Sequence, residues 1–169
     1  CGPNPYEYLF YQAVEDKISK DFTMKLMLYP KTEDDIFINL FESIFRECFT
    51  GKYDYWNILT FHSMVEEKDD MATVNQLSKK EKLFKKCFLK IIEEYPDKKS
   101  IYSVENVILK GVGKDDSKNK RKDKILKDFD KPEIGRIYLL ASCRTLNEGI
   151  DTKFANMKIP IYPGGSPGS

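Results

Sequence analysis

The residues with the most chemical content sit in one run, Ser142-Cys143-Arg144-Thr145-Leu146-Asn147-Glu148-Gly149-Ile150-Asp151. It follows an apolar segment, Ile137-Tyr138-Leu139-Leu140-Ala141. Such a segment reads as a buried strand, so the polar run reads as the loop at its carboxyl end, where open α/β sheets place ligand contacts. Ser142 and Thr145 offer hydroxyls of the kind that, with backbone N–H groups, hold nucleic-acid phosphates. Arg144 can pair with a phosphate or, locally, with Glu148. Gly149 permits close backbone approach, and the Asp151 carboxylate can accept from a ribose hydroxyl or simply cap a strand-to-helix turn. His62-Ser63 forms a second polar strand end, after Trp56–Phe61. The chain has a single histidine and no Ser/His/Asp arrangement, so no catalytic residue is expected. Four scattered cysteines without a CxxC pair exclude a zinc site of usual spacing. Glu15, Asp16 and the acidic residues 33–35 lack metal-ligand spacing, so no metal site is expected.

Size and composition bound what could position these groups. A chain of 169 residues suffices for one domain with a real core, and 41% hydrophobic content supports folding. Charged residues make up 33%, yet the net charge is only +1, so any nucleic-acid contact must come from a local basic patch. Eleven Phe and ten Tyr are expected to serve the core and strand edges more than base stacking. Cys48 and Cys87 fall on apolar helical stripes and read as small buried hydrophobes, which suits a reducing, intracellular compartment. No apolar run reaches ~18 residues, so no transmembrane helix or membrane partner is expected. The chain opens at Cys1-Gly2-Pro3 without Met and shows no signal peptide, so it is expected to be a piece of a longer protein.

The elements alternate. Residues 6–17 read as a short helix, and Phe22–Tyr29 as a strand ended by Pro30. Thr32-x-x-Asp35 has capping-box spacing and opens a helix carrying Phe37, Leu40, Phe41, Ile44, Phe45 and Cys48, with Gly51 as its C-terminal stop. Trp56–Phe61 is a second strand. Ser78-x-x-Glu81 reads as another capping box, opening a helix with Leu83, Phe84, Cys87, Phe88, Ile91 and Ile92 inward and closed by Pro96. Residues 106–112 form a third strand, turned by Gly111 and Gly113. The run 114–124, six basic residues against three acidic, reads mainly as a solvated loop and helix start. The other use of these lysines is phosphate-backbone binding. A helix with Ile125, Leu126 and Phe129 follows, then Pro132 and Gly135, a strand at 136–141, and a fifth at Met157–Tyr162. Alternation of this kind implies right-handed crossovers and a mostly parallel sheet of about five strands, with helices on both faces. Residues 163–169 read as a flexible Gly/Ser tail.

Several pieces in order resemble the second RecA-like domain of superfamily 2 helicases, especially of the kind common in large DNA viruses. Tyr6-Glu7-Tyr8 followed by Gln12-Ala13-Val14-Glu15-Asp16 is similar to that family's opening helix. Asn57 to Ser63, NILTFHS, resembles motif IV. Leu109-Lys110-Gly111 with Arg121, Ile125, Leu126 and Phe129 resembles the segment between motifs IV and V. Ile137 to Asn156, IYLLASCRTLNEGIDTKFAN, is the strongest match and resembles motif V. The resemblance implies a three-layer RecA-like domain over residues 1–162. It implies nucleic-acid contacts at His62, Ser63, Ser142, Arg144 and Thr145, and an ATP-facing corner at Gly149 and Asp151.

It also implies DNA or RNA and a first RecA-like domain as partners, with ATP and Mg²⁺ as cofactors of the intact motor. An intracellular location follows, in cytoplasm or in a viral factory or virion. The phosphate-cradling GxxxxGK(S/T) loop and the Q-x-x-G-R-x-x-R motif are not in this sequence. The chain alone is therefore expected to bind ATP weakly at most and not to hydrolyse it. A second function class fits the same residues: a non-enzymatic nucleic-acid- or protein-binding module derived from a helicase half. An unrelated doubly wound domain for a small anionic ligand is the third.

Overall fold

Four short segments rich in Ile, Leu and Val build the sheet. The computed structural model describes residues 33–62, 73–112, 120–143 and 152–161. Strands β1 (Trp56–His62), β2 (Val107–Val112), β3 (Ile137–Cys143) and β4 (Met157–Ile161) are all parallel, in the order β2-β3-β1-β4. The expected strand Phe22–Tyr29 and helix 6–17 lie outside the described residues, so four strands stand where about five were expected. β1 and β3 are buried on both faces, as central parallel strands must be.

Helices cover both faces. On the first face, α1 (Glu33–Thr50), α2 (Val74–Ser78) and α3 (Glu81–Ile92) pack over Trp56, Ile58, Val107, Leu109, Ile137 and Leu139. On the second, α4 (Lys120–Phe129) packs through Phe129 against Leu59, Val112, Tyr138 and Leu140. This split follows from strand order. The chain moves one way from β1 to β2 and the other way from β2 to β3, and right-handed crossovers in opposite directions must use opposite faces. Cys48 and Cys87 are buried free thiols of the first layer, and burial pushes both up from the ordinary thiol range.

Three local expectations are corrected. Ser78 ends α2 and donates to the Asn75 carbonyl at 3.1 Å, so it does not cap α3, whose N-cap is Lys80 without a side-chain bond. Ser78 is held there because its Cβ lies against Gly111, only 2.7 Å from where a Cβ on that glycine would stand. Pro96 does not close α3, which ends at Ile92; it opens a 3-10 turn, Pro96–Ser100, where its fixed φ is preorganised. Helix α1 does stop before Gly51, but not through a left-handed cap, because Gly135 is the one positive-φ glycine among the described residues. A Cβ at Gly51 would stand 2.5 Å from the Trp56 ring, so this glycine is there to let the indole close over it.

Candidate functional site at the carboxyl ends of β1 and β3

In the parallel register, His62 of β1 lies beside Cys143 of β3. The chain leaving β1 returns on the first face, where Val74 and Leu77 of α2 are buried. The chain leaving β3 returns on the second, where Ala155 packs before β4 begins. Two adjacent strands whose outgoing connections part to opposite faces define the switch point of an open α/β sheet, the usual place for a ligand crevice. Both polar strand ends singled out in the sequence therefore meet at one edge.

The described part of this edge is tightly bonded. The Thr60 hydroxyl and His62 Nε2 are 2.9 Å apart, both side chains lying on the first face, and His62 is only 1% exposed. Ser142 Oγ donates to the Thr60 carbonyl at 3.1 Å, and Ser142 is fully buried. Ser142 and Cys143 are the last two residues of β3, so the polar run begins inside the sheet and not in the loop. Ser142 is satisfied across the strand pair, which makes its burial tolerable. Of the other expected site residues, Ser63 follows His62 directly and Arg144 follows Cys143. These two, with Thr145, Gly149 and Asp151, lie outside the described residues.

Sequence reasoning missed Thr60, which bonds to both expected side chains. A signal was present. Gly111, Ala141 and Thr60 stand in one row across β2, β3 and β1, small residues in strands otherwise bulky on that face. The row lets α2 sit close over the carboxyl half of the sheet. Helix α2 is itself started there by Thr73, whose buried hydroxyl accepts from the Gln76 N–H at 3.3 Å.

The opposite, amino edge holds the connections in place. Asn156 accepts the Asn57 N–H at 2.9 Å and donates its amide to the Tyr55 carbonyl at 2.8 Å, while the Asn57 amide donates to the Lys131 carbonyl at 2.8 Å. Arg136, 3% exposed, donates to the Phe129 and Lys131 carbonyls at 3.0 and 3.2 Å and pairs with Glu133 at 3.2 Å. Asp130 accepts the N–H groups of Lys153 and Phe154 at 3.2 and 2.8 Å, which anchors the chain ahead of β4.

Beside Arg136, burial first and Asp128 second push the Tyr138 phenol up to about 12, the arginine opposing them. Burial likewise raises Tyr102, whose hydroxyl donates to the Tyr53 carbonyl at 3.0 Å. Both phenols stay neutral in the fold while an unfolded chain ionises them near ~10. Their contribution to stability is therefore intact below pH ~10 and is lost as pH rises from there through the folded values. Urea midpoints are expected to fall above pH ~10, and Tyr138→Phe to flatten that fall. A midpoint independent of pH up to 11.5 would contradict the burial of these phenols.

Among the described residues, no group of three His, Cys, Asp or Glu side chains could hold a metal ion, and no helix is long and apolar enough to cross a membrane. The chain matches no protein-family model, no curated protein and no solved structure.

Proposed function

We propose that this chain forms the second RecA-like half of a superfamily 2 nucleic-acid helicase, similar to those of large DNA viruses. The single observation that supports the reading is the register of β1 on β3. It sets Asn57–His62 beside Tyr138–Cys143 at the switch point, although the two stretches lie far apart in the chain, so the strands that lead into Ser63 and into Arg144 end next to each other. The all-parallel sheet with helices on both faces is compatible with it.

In this reading Ser63, Arg144 and Thr145, just past the strand ends, contact successive phosphates of a DNA or RNA strand. Thr60, His62 and Ser142 act beneath them as positioning residues that lock the two strand ends together. Gly149 and Asp151 form the wall turned to ATP, whose Mg²⁺ and phosphates are held mainly by a first RecA-like domain. ATP would supply the free energy for closing the two halves. The chain's own part is to bind backbone and to couple that contact to closure, because one loop facing two ligands can bias one equilibrium.

The test is photo-crosslinking of the chain to a 4-thiouridine single strand, followed by peptide mapping and an ATPase assay. Crosslinks are expected in peptides carrying Ser63 and Arg144, reduced at least fivefold by the pair Ser63→Ala and Arg144→Gln, with no ATP turnover. Crosslinks that avoid both peptides, or turnover of Mg²⁺–ATP by the chain alone, would overturn the reading.

A further inference from the structure

The second face carries a feature that the strand-end site does not use. Between α4 and the edge strand β2 runs a cleft of about 630 Å³, with Lys110 of β2 on one wall and Lys120, Lys124 and Lys127 of α4 on the other. All four are exposed, and none has an ion-pair partner among the described residues. Lysines elsewhere on the described surface are often matched, as in Lys85–Glu81, Lys90–Glu42 and Lys99–Glu93. Lys120 and Lys124 are an i,i+4 like-charge pair, which destabilises a helix. In a chain of net charge +1, this is a local concentration of positive charge.

We propose that this cleft binds the phosphodiester backbone of a nucleic-acid strand without reading its bases. The α4 lysines advance along the helix by ~4.5–6 Å per step at 1.5 Å per residue, so they present a row of cations to a ligand with regularly repeated charge. The ring in the lining, Tyr138, is 1% exposed, so it offers no face for base stacking. Asp123 and Asp128 line the same cleft and can only accept hydrogen bonds. These carboxylates repel any polyanion alike, so the choice of occupant rests on the spaced row of lysines, which matches the regularly repeated charge of a phosphodiester chain. A concave site between a helix and a strand also excludes a flat lipid surface. The proposal stands apart from the strand-end reading, because no strand-end residue lines the cleft.

The experiment is fluorescence anisotropy of the chain with a labelled mixed-sequence single strand, titrated with salt. Affinity is expected to fall as salt rises. The variant K110Q/K120Q/K124Q/K127Q should bind at least tenfold more weakly, with a log–log salt slope shallower by roughly 2–3, at about 0.7 per phosphate contact. A control of equal charge change, K52Q/K82Q/K86Q/K158Q, should keep both affinity and slope, and matching circular dichroism establishes that both variants fold. Equal losses in the two variants, or no binding by the unaltered chain, would overturn the proposal. Displacement of the strand by poly-glutamate at equal charge concentration would reassign the cleft to an acidic protein segment. Loss of binding only in the Ser63/Arg144 variant would leave the strand-end reading standing and end this one.

Discussion

Replacing Phe45 with alanine is expected to cost about 3–5 kcal/mol, the range for removing a large ring from a close-packed core. Phe45 is fully buried at the seam of α1 and α3. Its ring centroid lies 4.7 Å from Phe84, 5.5 Å from Phe88 and 6.1 Å from Phe49. Offset and edge-on contacts of this kind add to the area term, and Phe41 extends the same stack to Phe84 at 4.9 Å. A void bordered by three rings cannot collapse easily, because each neighbour is fixed by another aromatic. The α1–α3 layer also covers the face on which Thr60 and His62 bond. The loss should appear as a lower urea midpoint with an unchanged slope. A cost below about 1 kcal/mol would mean that the two helices do not share this seam.

Gly135→Ala is expected to be nearly as damaging, on the order of 3 kcal/mol, from two separate causes. The glycine has φ of +82°, which L side chains rarely adopt, and an added Cβ would stand 2.4 Å from the Ile101 carbonyl oxygen. That obstacle is backbone and cannot rotate away. Gly135 also sets the entry into β3, because its N–H donates to the Asp54 carbonyl at 2.8 Å while the Arg136 carbonyl accepts the Trp56 N–H at 2.9 Å. These bonds begin the register that ends with Cys143 beside His62. Gly135→Asn separates the causes, since asparagine tolerates the left-handed backbone but not the clash. Both variants should be destabilised. Recovery of most of the stability in Gly135→Asn would show that Ile101 moves aside.

Much of this architecture could be read locally. The apolar spacing of Phe37, Leu40, Phe41, Ile44 and Phe45 identified α1. The runs at Trp56, Val107 and Ile137 were expected within a residue or two of β1, β2 and β3. The alternation of strands and helices was enough for a parallel sheet covered on both faces. Period and alternation are properties of neighbours along the chain, and burial selects for them directly.

What a short window could not contain was decided by partners distant in sequence. Ser142 reads as a loop residue because it is polar; it belongs to β3 because the Thr60 carbonyl, on another strand, takes its hydroxyl. Ser78 has the spacing of a cap, and the absent side chain of Gly111 draws it into a different helix end. Four lysines of a charge-rich stretch and its neighbouring strand become one cleft only when α4 is laid along β2. Composition and periodicity determined which segments are strands or helices and which sides are apolar. Strand order, the face each connection takes and the meeting of His62 with Cys143 arose from long-range pairing and the handedness of crossovers, since those terms depend on contacts that exist only once the chain has closed on itself.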